Sequence, residues 1–227
     1  GHPSKQMTVI GITGTNGKTS VTCIINKILK HAGIANGALG TLGFTTPSGI
    51  STTGFTTPEA TEIQQLFKTL LEGGVNHLVM EVSSHALELK RVCDVEFDMA
   101  VFTNLTEDHL DFHGNMEKYF KSKLTLFNSL GKKKTAVLNH DDPWVNKIIS
   151  EIKCNWITYG LTKKADLFPE HFDISLEGIH AVLKWRNNHI QIKSPLIGEY
   201  NLYNIMAAVG SAVMLKIPIN PKKVNPS

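Results

Sequence analysis

The chain has 227 residues, 41% of them hydrophobic, 19% charged and 7% aromatic, which is enough to bury a core as one large or two small domains and excludes a disordered or disulfide-stapled chain. Its net charge of +3, from 23 basic against 20 acidic residues, gives no electrostatic ground for nucleic acid as a partner. No apolar run approaches the ~20 residues that span a bilayer and no signal peptide opens the sequence, so no membrane partner is expected. Residues 1–6 read as a tag remnant or linker ahead of a domain at 7–219. Residues 7–13 read as a buried strand, and 18–31 carry Val21, Ile24, Ile25, Ile28 and Leu29 at helical spacing, with Gly33 as the stop. A short strand near 35–42 leads into a polar loop, 43–57, rich in Gly, Ser and Thr.

Pro58 opens a second helix with Ile63, Leu66, Phe67, Leu70 and Leu71 on one face, ended by Gly73-Gly74. Strands follow at 77–82, 97–103, 135–138 and 156–159, separated in the second half by helices near 115–129 and 142–153. This βαβα rhythm predicts an α/β fold: a P-loop-like, doubly wound, mostly parallel sheet with helices on both faces. The texture changes near 172–192, where hairpin patterns predict a small antiparallel β extension. A helix at 201–215 follows, and 220–227 read as the start of a linker to a further, absent C-terminal domain. Cys23, Cys93 and Cys154 form no CxxC pair and suit a reducing, cytoplasmic setting.

Chemistry clusters where strands end. Thr13-Gly14-Thr15-Asn16-Gly17-Lys18-Thr19-Ser20 sits between a buried strand and a helix, where glycines let backbone N–H groups converge on phosphate oxygens and the helix adds its positive end. Lys18 is placed for the terminal phosphates and Thr19 for a magnesium ion. A strict phosphate loop has Gly where this chain has Ile12, so the loop is a variant. Glu81, at the tip of the 77–82 strand, can supply an oxygen to that ion. A second dense polar turn runs from Thr103 to Gly114 and holds Asp108, His109, Asp111 and His113.

Together these stretches resemble the central, ATP-binding domain of the Mur ligase family, whose loop has the form TGTNGKT, matched at 13–19. Within that family, Met80-Glu81-Val82-Ser83-Ser84-His85-Ala86-Leu87 with Arg91, Thr56-Thr57-Pro58-Glu59, and Asp108 to Gly114 with Lys123-Leu124-Thr125-Leu126-Phe127 are similar to the MurE type. The resemblance covers residues 8–216. It implies ATP-dependent addition of a third amino acid, diaminopimelate or lysine, to UDP-N-acetylmuramoyl-L-alanyl-D-glutamate through an acyl phosphate, in peptidoglycan synthesis.

It also implies roles. Gly14, Thr15, Asn16, Gly17, Lys18, Thr19 and Ser20, with Asn201 and Asn204 on the adenine side, would bind ATP. Thr19 and Glu81 would hold Mg2+, and His109 would lie near a second ion. Lys123 would join the metal set if carbamylated. Thr56, Thr57, Ser83 and Arg91 would bind the nucleotide-sugar peptide, Arg91 through an anion. Lys18, Glu81, His109 and Lys123 form the catalytic set. On residue pattern alone, Lys123 reads as a solvated helix lysine and Asn201 as a helix cap. Phe55 stands where the family often has Asn, and Leu89 where a polar substrate contact is usual. The partners implied are the nucleotide-peptide, an amino acid and the N- and C-terminal domains of the same enzyme, without which the fragment is expected not to turn over. The alternatives are a folylpolyglutamate synthase-like ligase and a non-catalytic, GTPase-like nucleotide module. The Glu-Val-Ser-Ser-His run argues against the first, and the lack of an Asn-Lys-x-Asp motif against the second.

Overall fold

The computed structural model describes residues 2–46, 49–52 and 54–219. Eleven strands form one sheet. In chain order the strands are β1 (Thr8–Thr13), β2 (Asn36–Gly40), β3 (Gly43–Thr46), β4 (Gly49–Ser51), β5 (His77–Glu81), β6 (Met99–Phe102), β7 (Thr135–Asn139), β8 (Asn155–Tyr159), β9 (Leu167–Ser175), β10 (Gly178–Trp185) and β11 (Asn188–Ser194). Their spatial order is β11-β10-β9-β8-β7-β6-β1-β5-β2-β3-β4. The run from β2 through β5, β1, β6 and β7 to β8 is parallel, and β9 joins β8 in the same sense. Both ends are antiparallel: β3 and β4 on one side, β9 to β11 on the other.

The central strands are apolar on both faces, as a sheet covered by helices requires. From β1, Val9 packs under α2 (Ala60–Glu72) and α5 (Met116–Asn128), while Ile10 and Ile12 pack under α1 (Lys18–His31) and α7 (Glu199–Met214). Each fully buried Ile or Leu of this kind stabilises the fold by about 1.5–3 kcal/mol. The chain passes from β5 across β1 to β6, so the winding reverses at β1. In doubly wound sheets such a reversal opens a crevice beyond the strand C-termini, and ligands bind there.

Four local features depart from the sequence reading. The 43–57 stretch is not a plain loop: β3 and β4 extend the edge through β2–β3 pairs such as Leu39 with Phe44. Two one-turn helices, α3 (Ser84–Glu88) and α4 (Leu110–His113), occupy turns expected to be irregular. The antiparallel extension starts earlier and ends later, spanning Leu167 to Ser194. Residues Pro3–Gln6 form a 3-10 turn in which buried Ser4 accepts a hydrogen bond from the Glu96 N–H, so this stretch is packed against the domain. The remaining helix, α6 (Val145–Glu151), covers the sheet beside α5. The linker expected at 220–227 lies outside the described residues. Among those described, no helix is long and apolar enough to cross a membrane.

Candidate functional site

The loop between β1 and α1 lies at the reversal. Gly14 has φ +149°, and a Cβ there would collide with the Thr103 hydroxyl; Gly17 has φ +86° and caps α1, with the Asn204 side chain where its Cβ would go. Larger residues at either position would push the loop off its seat. The segment after β6 fixes the loop's shape. The N–H groups of Thr15 and Asn16 donate to the backbone carbonyl and the side-chain Oδ1 of Asn104, at 2.8 and 2.9 Å. Thr103 Oγ1 donates to the Asn16 carbonyl at 2.6 Å, and the Thr106 N–H donates to Thr15 Oγ1 at 3.0 Å. No side chain caps α1, which leaves its N-terminal end open to an anion.

Lys18 curls over this loop, with Nζ donating to the carbonyls of Gly14 (3.0 Å) and Thr15 (2.8 Å). Burial pulls its pKa below the usual lysine value, while Glu81 and Asp108 act in the opposite direction. A cation resting on two neutral carbonyls can be drawn to a phosphate without breaking an ion pair.

Glu81, 1% exposed, closes β5 beside the loop. Its Oε2 accepts from Thr19 Oγ1 at 2.9 Å and Thr41 Oγ1 at 3.2 Å, and its Oε1 accepts from the Thr41 N–H at 2.9 Å. One carboxylate and two hydroxyls thus converge, all hard oxygen donors. Such a set suits Mg2+, which takes few protein oxygens and keeps water and phosphate for the rest. Among the described residues no cluster of three His, Cys, Asp or Glu side chains forms a metal cage, so an ion here would depend on Glu81, the two hydroxyls and phosphate oxygens.

Lys123 overturns the solvated reading of its residue pattern. It is 2% exposed, its Nζ donates to the Gly14 carbonyl at 2.9 Å, and it sits 4.4 Å from the centre of the Tyr119 ring. Burial, helped by the nearby Lys18 charge, holds its pKa well below the usual lysine value. Position 123 is four residues from both Tyr119 and Phe127, on the apolar face of α5, and this spacing was the available signal.

A cleft of about 540 Å³ opens in front of the loop, and its wall includes Lys18, Thr19, Thr56, Glu81, Arg91 and His109. Thr15, Asn16, Gly17, Ser20, Thr57 and Ser83 also line it, whereas Gly14, Lys123, Asn201 and Asn204 do not. His109 occupies a left-handed position, φ +52°, ahead of α4; its Nε2 lies 3.4 Å from Asp108 Oδ2 and its ring meets His85 edge-on at 4.9 Å. Thr56 Oγ1 is 3.1 Å from Thr41 Oγ1. Thr57 is buried and already committed: its hydroxyl donates to the Glu81 carbonyl and accepts from the Ser83 N–H. Ser83 caps α3 by accepting from the Ala86 N–H. Arg91 pairs with Glu59 at 2.6 Å.

Asn201 is not the cap of α7. Gly198 takes that place; Asn201 Nδ2 donates back to the Ile197 carbonyl at 2.9 Å, and Asn201 Oδ1 accepts from Asn204 Nδ2 at 3.1 Å. Sequence reasoning missed Thr41, Asn104 and Tyr119. Tyr119 lies 3.3 Å from Thr15 Oγ1 and stacks on His113, whose Nε2 meets Ser84 Oγ at 3.0 Å. Each of these acts through contacts more than ten residues away in sequence, which no local pattern announces.

This geometry has known counterparts. Residues 12–212 match the family described as Mur ligase middle domain. The chain belongs to that family. It is 43% identical over 210 residues to the UDP-N-acetylmuramoyl-L-alanyl-D-glutamate--2,6-diaminopimelate ligase of Solibacter usitatus, a match covering 92% of this chain and 42% of the relative. The ligase of the same name from Clostridium botulinum is 42% identical over 223 residues, covering 98% of this chain and 46% of that protein. A solved structure of a ligase of this name superposes with a TM-score of 0.86 at 30% identity, over 96% of this chain and 45% of its own. The fold also matches MurF ligase from Thermotoga maritima, solved in complex with ADP, with a TM-score of 0.74 at 18% identity, over 98% of this chain and 50% of that one. The chain therefore spans less than half the length of the curated relatives it matches.

Proposed function

We propose that this Mur ligase middle domain is the ATP-binding part of an amide ligase that extends UDP-N-acetylmuramoyl-L-alanyl-D-glutamate by a third amino acid in peptidoglycan synthesis. The observation that carries the reading is the convergence of Lys18, Thr19 and Glu81 on one cleft beside a glycine loop of the family's form. Both curated relatives carry 2,6-diaminopimelate in their names, which favours it over lysine as the added residue.

In this reading the open N-terminus of α1 and the N–H groups of Gly17 to Ser20 hold the triphosphate, those of Thr15 and Asn16 being already given to Asn104, and Asn204 with Asn201 supports the adenine side. The substrate carboxylate attacks the γ-phosphorus, the bond to the β-γ bridging oxygen breaks, and ADP leaves. The amino acid's amine then displaces phosphate from the acyl phosphate and loses a proton. Lys18, released from its two carbonyls, follows the charge that builds on the transferring group. Thr19 and Glu81 would hold Mg2+, which neutralises phosphate charge when bound. His109 stands at the cleft for a second ion. Lys123 would join the metal set as a carbamate, formed when its uncharged amine adds CO2 and loses a proton; burial lowers its pKa and so favours that form. Thr56, Ser83 and Arg91 line the side where the nucleotide-peptide binds.

The test is ligation by the full-length enzyme carrying this domain. Lys18→Ala should lower turnover at least about 10³-fold, the scale of losing a principal transition-state charge partner. This chain by itself should form no tripeptide product. Near-normal ligation by Lys18→Ala, or glutamate addition to a folate in place of the nucleotide-peptide, would overturn the assignment.

A further inference from the structure

Arg91 is expected to receive an anion, yet here its guanidinium is partly occupied by the chain's own Glu59. Its Nη2 lies 2.6 Å from Glu59 Oε1, its Nη1 donates to the Thr57 carbonyl at 3.1 Å, and its Cζ lies 4.8 Å from the centre of the Phe55 ring. Its Nε, by contrast, is buried with no hydrogen-bond partner among the described residues. Nε–H and Nη2–H of a guanidinium point the same way and suit the two oxygens of one carboxylate. Glu59 takes only one of that pair and leaves a buried donor unsatisfied, which proteins rarely tolerate without a use.

The two partners differ in how firmly they are held. The Arg91 side chain is 14% exposed and faces the Thr57 carbonyl; Thr57 itself is locked by its hydroxyl to the Glu81 carbonyl and the Ser83 N–H. The Glu59 side chain is 53% exposed and stands at the N-cap of α2, where it forms a reciprocal capping box with Glu62, whose Oε2 accepts the Glu59 N–H at 3.0 Å. The receptor is largely buried, whereas its occupant is more than half exposed and has the N-terminus of α2 as an alternative partner for its carboxylate.

We propose that Glu59 is an internal anion that occupies the carboxylate-receiving edge of Arg91 and is displaced by a carboxylate of the incoming substrate, so that Glu59 sets how strongly the cleft selects acidic over neutral ligands. The proposal rests on the reading of this cleft wall as the substrate side. A ligand carboxylate that takes both Nε and Nη2 replaces a single exposed ion pair and satisfies the orphan donor. A neutral ligand offers no such exchange and leaves Glu59 in place.

The experiment uses glutarate as the probe and follows the Arg91 Nε–H resonance of this chain by proton–nitrogen NMR. Glu59→Gln keeps a side-chain acceptor at the start of α2 and removes the competing charge, so glutarate should bind about two- to fivefold more tightly than to wild type, the range of a partly exposed ion pair. Arg91→Lys, which lacks the reporting Nε–H and is followed by calorimetry alongside wild type, should lose the measurable glutarate binding that wild type shows. Equal or weaker glutarate binding by Glu59→Gln would overturn the proposal, since a glutamate that merely orients Arg91 gives that sign. In the full-length ligase the same variant should lower KM for the nucleotide-peptide by a similar factor and leave KM for ATP unmoved. Should glutarate behave as expected while the enzyme ignores the nucleotide-peptide, the ligase reading fails and the exchange at Arg91 stands.

Discussion

The two rims of the parallel sheet treat lysine in opposite ways. At the C-terminal rim, Lys18 and Lys123 both donate to the Gly14 carbonyl, neither forms an ion pair among the described residues, and burial depresses both pKa values. At the N-terminal rim, Lys134 lies between Asp98, 2.5 Å away, and Glu96, 3.5 Å away, and the hydrogen bond to Asp98 raises its pKa. Asp98 in turn accepts the Val9 N–H and so ties β1 to the start of β6. The lysines at one rim are left short of an acidic partner, and the lysine at the other is paired. On the proposed function, the rim with the unpaired lysines serves a ligand and the rim with the paired one serves the fold, a division in which stability is given up at the site.

The largest effect that would break this contrast is at Gly14. Gly14→Ala puts a methyl against the Thr103 hydroxyl and the Asn104 backbone, in a φ region that L-residues seldom adopt. It should cost about 1–3 kcal/mol, a fall of roughly 2–4 °C in the melting midpoint per kcal/mol, and nucleotide binding should be lost with it. Wild-type melting together with wild-type nucleotide affinity would show that the loop does not need its observed seat.

Lys123→Met sharpens the comparison with an opposite sign. A buried amine that has no counter-ion and whose protonation burial opposes is replaced by an apolar chain of similar length, so the variant should be more stable at neutral pH by about 1–3 kcal/mol in bicarbonate-free buffer, while ligation in the full-length enzyme is lost. Because the folded pKa of Lys123 lies below its unfolded value, the unfolded chain binds the extra proton between the two. Wild-type stability should therefore rise with pH across that interval, and the variant should lack this slope in denaturant titrations from neutral pH to about pH 10.

Lys134→Met should give the smallest effect and the reverse pH behaviour. Its side chain is 28% exposed, and losing the contact should cost about 1 kcal/mol. A raised folded pKa contributes stability in full below the unfolded value and loses it as pH climbs through the folded value. The deficit of the variant should thus be constant from neutral pH to about pH 10 and shrink above that, as chemical denaturation at several pH values would reveal.

Much of this was readable before any coordinates. Helix α1 runs from Lys18 to His31 as its spacing predicts, because Gly17 and Gly33 bracket an unbroken amphipathic stretch. Glu81 falls at the tip of β5, beside the loop, because a parallel sheet lines up its strand ends. What escaped notice had two causes. Residues such as Thr45 and Ile50 form edge strands by pairing with each other across a turn, in a composition that otherwise reads as loop. The buried state of Lys123 was visible as helical spacing, but a charged residue on an apolar face is normally discounted. Thr41, Asn104 and Tyr119 act across long sequence separations, and Glu59 gains its meaning only from the orphan Nε of Arg91.

The most direct test of the central claim, that Lys18, Thr19 and Glu81 form one magnesium-dependent phosphate cradle, is a calorimetric titration of this chain with ATP, with and without Mg2+, in wild type and Glu81→Gln. The account predicts binding that strengthens at least tenfold on adding Mg2+ in wild type, and a Mg2+ effect that disappears in Glu81→Gln while the metal-free affinity is unchanged or higher. An ATP affinity indifferent to Mg2+ in wild type, or a Mg2+ effect that survives intact in Glu81→Gln, would contradict it.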